Sequence, residues 1–392
     1  MAQKKRNYNQ EKRAAKRAAK AIKKTNHPIL IVIALILVAA IVFGIWYFFF
    51  YKKRQTPSPI QTGDLSVTFF ELGNKYVGDC TLIKVGDTEV LIDAGSKQNS
   101  AETLVPEIKK LCTDGKLEYV IATHAHEDHI GAFYSTQSRA GIFESFECGT
   151  IIDFPLTRKE YSSASVYGRY LDARRAEVEA GAVHYTALQC WNQTDGAKRS
   201  YQLADDVTLN VLYHKYYEEY DSNKTAENNY SVCVMITQGT YNYLFTGDLE
   251  SEGEESLVDK NDLPHCKLFK GGHHGSSTSN TDLLLSAIQP ETICICTCAG
   301  TPEYAKTNAA AFPTQECIDR MAKYTDKIYV TSLATDVDWT KDKSWSGAVS
   351  LNGNITAVSD GVKFEITGSN NSLILKETDW FKQNRIWPTN GK

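Results

Sequence analysis

Hydrophobic and polar positions divide the chain into unequal stretches. From residue 29 to 50 no charged side chain interrupts 22 positions, roughly 33 Å of helix at about 1.5 Å per residue against a bilayer core of about 30 Å. That pattern predicts one transmembrane helix over residues 29–51. Beyond Lys52, Lys53, Arg54 and the Pro57/Pro59 stretch, short β-rich apolar runs alternate with helical periodicity. Residues 65–70, 81–85 and 90–92 read as closely spaced strands, 101–111 as a helix and 119–122 as a further strand. A longer helical pattern covers 161–180, and strands recur at 207–212, 232–236, 243–245, 267–269, 292–296 and 328–330. Hairpins at the start, mixed elements after them and no internal repeat predict an α/β domain of two sheets covered by helices.

The boundaries follow: a basic head at 1–28, the membrane helix at 29–51, a linker at 52–64 and a folded domain from 65 to 392. The apolar stretch exceeds the roughly 7 to 15 residues of a cleaved signal peptide and ends in Trp46, Tyr47, Phe48, Phe49, Phe50 and Tyr51, so it reads as an uncleaved anchor with an interfacial aromatic belt. Charge is unevenly divided. Residues 1–54 hold 13 Lys/Arg and a single acid, Glu11, for a charge near +12, while the remainder holds 30 Lys/Arg and 46 Asp/Glu, near −16. The basic flank predicts a cytoplasmic N-terminus and an extracellular domain. Glu11 to Lys20 could also lie on anionic lipid or nucleic acid, but a topology signal is the simpler reading. At 42% hydrophobic and 11% aromatic residues the domain can bury a large core and is not a disordered chain.

Ten cysteines fit an oxidising exterior poorly, because no spacing among them suggests a disulfide framework. Cys294, Cys296 and Cys298 alternate in an apolar run, which places them on one face of a strand as buried thiols rather than metal ligands.

The candidate chemistry sits directly after the strand at 119–122. Thr123-His124-Ala125-His126-Glu127-Asp128-His129-Ile130-Gly131 sets three imidazoles and two carboxylates within six positions. Imidazole nitrogen and carboxylate oxygen bind zinc at about 2.0 to 2.2 Å, and a loop leaving a strand can aim alternate side chains into one pocket. The competing reading, a packed cluster of satisfied histidines, requires burying many polar groups without a metal, which is costly. Two histidines four apart with Glu after the first, the helical zinc-protease spacing, do not occur here.

The segment resembles the HxHxDH signature of the metallo-β-lactamase superfamily, and other landmarks of that superfamily follow in order over about residues 65–358. Leu91-Ile92-Asp93-Ala94-Gly95 looks like the early strand whose Asp steadies the metal loop. Thr246-Gly247-Asp248 looks like the strand end whose Asp bridges two metals, and Lys270-Gly271-Gly272-His273-His274-Gly275-Ser276 like the last metal motif. The resemblance implies a four-layered αββα sandwich and two divalent metal ions, zinc first and manganese as the alternative. It implies that His124 and His126 hold one ion, that Asp128, His129 and His274 hold the other, and that Asp248 bridges. Asp128, Asp248 and His273 are then the residues expected at the reaction, with His273 facing the substrate. One departure stands out, because 227–231 lacks the further strand histidine of many members. His184 and His214 could substitute, but isolated histidines are more often structural.

Phe245-Thr246-Gly247-Asp248, the Asn-rich turn before Ser231 and the HHGS motif resemble the extracellular hydrolase domain of the competence protein ComEC and bacterial phosphorylcholine esterases. Phe69-Phe70-Glu71-Leu72-Gly73 and Gly78-Asp79-Cys80 form a looser version of their opening. The resemblance implies phosphodiester hydrolysis by metal-bound hydroxide, with a lactone or other ester as the alternative and a non-catalytic envelope or DNA-uptake partner as the rival. The acidic domain points to a small or cell-envelope phosphodiester over long nucleic acid, which proteins grip with clustered Lys/Arg. An aromatic pocket for a choline-like cation is a further expectation, from 21 Tyr and 6 Trp.

Overall fold

The protein is described here by a computed structural model covering residues 64–224 and 226–392, with Arg13, Ala15, Lys16 and Arg17 of the head as exposed helical residues. The expected membrane helix lies outside the described residues, among which no helix is long and apolar enough to cross a membrane.

The strands form where apolar β-formers recur between turn residues. In the first sheet these are β1 (Leu65–Phe69), β2 (Asp79–Val85), β3 (Thr88–Gly95), β4 (Lys116–Ala122), β5 (Glu147–Asp153) and β6 (Val183–Thr186). The second sheet comprises β7 (Ser200–Ala204), β8 (Val207–Val211), β9 (Val234–Gln238), β10 (Tyr241–Phe245), β11 (Leu268–Lys270), β12 (Ile293–Ala299), β13 (Ile328–Thr335) and β14 (Gly347–Ser350). β15 (Ile355–Ser359) and β16 (Phe364–Gly368) return to the first sheet, whose order is β16-β15-β1-β2-β3-β4-β5-β6. The second runs β14-β13-β12-β11-β10-β9-β8-β7.

Both sheets are mixed in the same sense. Val67 pairs antiparallel with Ile83 and Ala357, whereas Ile92 pairs parallel with Ile121. In the second sheet Tyr243 pairs antiparallel with Ile236 and parallel with Leu268. The parallel halves, β3 to β6 and β10 to β13, set several strand carboxyl ends side by side, the usual place for a site in such sheets.

Two buried clusters hold the layers together. The first joins the sheets, as in the Phe69 and Phe245 rings 6.3 Å apart, and includes Leu104 and Ile108 of α1 (Ala101–Leu111). The second packs Leu244, Phe269, Ile293 and Ile295 with helical residues Leu257, Leu285, Ile288 and Ile318. Each such side chain contributes about 1.5–3 kcal/mol on full burial. Cys294 and Cys296 belong to the first cluster and Ile293 and Ile295 to the second, so alternation in β12 serves two apolar faces at once. All ten cysteines are buried and unpaired, as the apolar run at 294–298 suggested for three of them.

The helix expected at 161–180 begins at Val166, because Ser165 takes extended backbone and its hydroxyl accepts from Gly168 N. The fold also extends past the 65–358 range of resemblance. Leu375 and Phe381 are buried in the second cluster, with Trp380 and Trp387 packed against it.

Candidate metal centre

Near the end of β3 stands Asp93, at φ +60°, a backbone state that Asp tolerates better than most residues. Its carboxylate accepts from Thr123 N at 2.7 Å, Thr123 Oγ1 at 2.8 Å and His129 Nδ1 at 2.7 Å. The loop leaving β4 is thereby tied to β3, and with Nδ1 of His129 donating, its Nε2 turns inward. Asp93 thus has the steadying place the sequence suggested.

His129 Nε2 lies 3.1 Å from Asp248 Oδ2, and His274 Nε2 lies 3.2 Å from the same oxygen. His274 donates Nδ1–H to the Cys296 carbonyl at 3.0 Å, which again leaves Nε2 as the free nitrogen. Donor atoms of Asp79, His129, Asp248 and His274 all lie within 4.8 Å of one another, and all four residues are buried. Yet His129 Nε2, His274 Nε2, Asp248 Oδ1 and Asp79 Oδ1 have no hydrogen-bond partner. Orphaned donors of this kind are expensive to bury unless something draws on their lone pairs. Imidazole nitrogens and carboxylate oxygens converging this way suit a divalent ion such as zinc or manganese.

A second pair lies beside this group. His124 Nε2 and His126 Nδ1 face each other at 3.1 Å with rings 4.9 Å apart, while His124 Nδ1 lies 3.2 Å from Thr123 Oγ1 and 3.3 Å from Ser231 Oγ. Ser231 Oγ also accepts from Asp248 N at 3.0 Å, so a hydroxyl in the segment without the strand histidine links His124 to the bridging candidate. Asp128 Oδ2 is 3.5 Å from His274 Nε2 and accepts from the Tyr304 hydroxyl at 2.9 Å.

The electrostatics reflect crowded opposite charges. Burial disfavours charge on His129, but Asp248 and Asp93 outweigh it and hold its pKa at about 10. Burial likewise opposes ionisation of Asp248, while His129 and His274 draw it well below the ordinary carboxylate range. His124, buried with His129 and His126 nearby, is pushed well down.

All six expected ligands gather in this region. His129, Asp248 and His274 enter the four-donor group, Asp128 stands at its edge, and His124 and His126 make the adjoining pair. His274 is the inward member of its pair. His273 lies 3.9 Å from Asp248, is partly exposed, and contacts Thr278 Oγ1 at 3.0 Å with Glu250 at 3.6 Å. His184 pairs with Asp153 at 2.8 Å and His214 contacts the Ser231 carbonyl at 2.8 Å, which are packing roles. Sequence reading assigned no role to Asp79, Lys270, Ser231 or Tyr304. The available signal for Asp79 was its place in Gly78-Asp79-Cys80, but a lone Asp at a strand start is ordinary turn chemistry.

Tyr304 and Phe312 stack at 6.2 Å, and Phe312 also lies 6.4 Å from the His274 ring. With Ser276, Ser277, Thr307 and Thr314 they line a cleft of about 590 Å³ in which, among the described residues, Glu316 is the one charged lining residue.

The described residues form an α/β domain of two mixed sheets with His/Asp donors gathered at strand ends. The family model described as the metallo-beta-lactamase superfamily matches residues 73–142. The chain is similar to Competence protein ComA of Neisseria gonorrhoeae, at 25% identity over 280 residues, 71% of this chain and 32% of the relative. It is also similar to ComE operon protein 3 of Bacillus subtilis, at 22% identity over 222 residues, 55% of this chain and 24% of the relative. The chain therefore spans about a third or less of these relatives. Among solved structures, the metallo-beta-lactamase fold protein YhfI of Bacillus subtilis aligns at a TM-score of 0.38 and 10% identity, covering 72% of this chain and 99% of that one.

Proposed function

We propose that this chain is a membrane-anchored, metal-dependent hydrolase that cleaves a small or cell-envelope phosphodiester, with His124, His126, Asp128, His129, Asp248 and His274 holding two divalent ions and Asp79 adding a seventh donor. The observation that carries the proposal is the four-donor group of Asp79, His129, Asp248 and His274, whose buried nitrogens and carboxylate oxygens lack hydrogen-bond partners. Two such ions, when bound, supply an ionised water near neutral pH and offset charge on a phosphoryl oxygen.

The chain's own residues do the remaining work. Asp93 and Thr123 orient the β4 loop, and Ser231 and the Cys296 carbonyl fix the His124 and His274 rings. His273, oriented by Thr278 and Glu250 at the rim, is placed to contact a non-bridging oxygen or to hand a proton to the leaving group. The Tyr304/Phe312 cleft takes the rest of the substrate.

One relative carries a competence name, which favours a nucleic-acid phosphodiester as the second reading. Against it stand a charge near −16 beyond residue 54 and a cleft lining without Lys or Arg. The anchor rests on the uncharged 29–50 stretch. Free cysteines do not oppose an extracellular domain, because burial raises all ten thiols and keeps them inert.

The test is metal analysis of the purified chain with assays on bis-p-nitrophenyl phosphate, single-stranded DNA and a lactone. Zinc or manganese retention with turnover of the small diester supports the proposal. A chain that neither retains nor gains a transition metal refutes it, and preference for DNA or lactone moves the substrate class.

A further inference from the structure

Lys270 places a positive charge inside the group of residues that would hold the metal. It is the last residue of β11 in the second sheet, its side chain only 4% exposed, and its ammonium pairs with Asp79, the equally buried first residue of β2 in the first sheet. The ammonium also donates to the Gly247 carbonyl at 3.3 Å and lies 3.8 Å from Asp248 Oδ1. A lysine this buried is held only by matched partners, since an unpaired interior charge is strongly destabilising.

The neighbouring ring N–H groups are already committed. His129 Nδ1 lies 3.7 Å from Asp79 but donates to Asp93, and His274 Nδ1 lies 3.5 Å from Asp79 but donates to Cys296 O. Lys270 is therefore the group that fixes Asp79, pairing with Oδ2, the oxygen nearer His129, while Oδ1 faces His274 without a hydrogen-bond partner. The same ammonium holds the turn at Gly247, where φ is +55° and a Cβ would strike Ser231 and Thr123, so the residue preceding Asp248 cannot move freely.

We infer that Lys270 is a positioning residue of the metal centre: it presents one oxygen of Asp79 to the ion shared with His129, Asp248 and His274, and steadies the turn carrying Asp248. This rests on the metal-centre reading above and adds to it a part for a residue outside the ligand set. Lys270 is too buried to reach substrate, so its action runs through Asp79 and Asp248.

The experiment titrates zinc against a chromophoric chelator in the full chain, comparing wild type, Lys270→Met, Asp79→Asn and the Asp79→Asn/Lys270→Met pair, with metal-free melting curves beside each. Partners that orient metal ligands typically change affinity by about 10- to 100-fold. Lys270→Met and Asp79→Asn are each expected to weaken zinc by that range. Because Lys270 acts mainly through Asp79, the double variant should bind like Asp79→Asn, while its metal-free melting point recovers toward wild type as neither charge is left unpaired. If the single variants fail to fold, the double variant against wild type decides. A double variant with wild-type affinity, or Lys270→Met binding zinc more tightly, overturns the inference by reducing Lys270 to a strut or a repelling charge. A wild type that binds no zinc instead sinks the metal centre itself.

Discussion

Replacing Asp93 by Asn isolates what one carboxylate contributes to the centre. Asn accepts φ +60° as readily as Asp, so the backbone should not object. Its single oxygen can keep the 2.7 Å bond from Thr123 N, but its amide N–H₂ then faces Thr123 Oγ1 and His129 Nδ1–H, both of which donated to the carboxylate. Hydrogen bonds to a charged acceptor contribute about 1.5–3 kcal/mol each, so losing two gives about 3–6 kcal/mol. The Thr123 hydroxyl can rotate and accept, which favours the lower figure. At about 2 °C per kcal/mol for a large domain, a loss of about 3 kcal/mol lowers the metal-free melting point by roughly 6 °C. Freed from Asp93, the His129 ring no longer holds Nε2 inward, and zinc affinity should fall about 10- to 100-fold. Scanning calorimetry and chelator competition measure the two effects. If Asp93→Asn melts and binds zinc like wild type, the orienting role of Asp93 is wrong.

Other outcomes follow from the same geometry. Asp248→Ala and His126→Ala should each reduce bis-p-nitrophenyl phosphate hydrolysis below easy detection, since each 1.36 kcal/mol is worth tenfold in rate, while His184→Ala keeps near-normal turnover because its ring serves Asp153. Burial pushes the Glu303 carboxyl up to about 7 against the opposing Val77 N–H and Lys97, so the folded state takes up its proton before the unfolded chain does. Stability contributed by that proton is full below the unfolded value near 4.5 and lost as pH rises through 7; melting curves should show wild type losing more stability than Glu303→Gln across that window. Protease added to intact cells should remove the domain and spare the N-terminus; a protected domain would reverse the proposed topology.

The parts of the site legible in sequence were those concentrated in short motifs. His124, His126, Asp128 and His129 announce themselves by density, and Asp93, Asp248 and His274 by their order around them. Asp79 and Lys270 were not legible because their pairing exists only once β2 and β11, interior strands of different sheets, are brought together at the site. The same limit governs the fold. β1 to β4 carry apolar runs dense enough to read, whereas β14 has a burial pattern with no fully buried position and β6 none either. Such exposed edge strands lack the alternation that marks a half-buried strand. The Tyr304 hydroxyl reaches Asp128 across 176 positions of sequence, a contact no local pattern encodes.

Backbone conformation in this region is consistent with the proposed centre. Asp93, His273 and His274 all take positive φ, at +60°, +46° and +54°, a state that holds non-glycine residues only where surrounding contacts over-determine it. For His274 those contacts are the Cys296 carbonyl and the Asp248 carboxylate; for Asp93 they are Thr123 and His129. Gly275 follows at φ +85°, and a Cβ there would press on Pro313 at 2.6 Å, so the turn carrying both histidines is held against the segment that supplies Phe312 to the cleft. Gln193, Asp195, Asn280, Gln289, Asp336 and Lys343 also take positive φ, so it is the position of Asp93, His273 and His274 around unpartnered buried donors that sets these three apart. Their coincidence toward the carboxyl ends of β3 and β11 with four buried donors is the arrangement that the proposed metal centre requires.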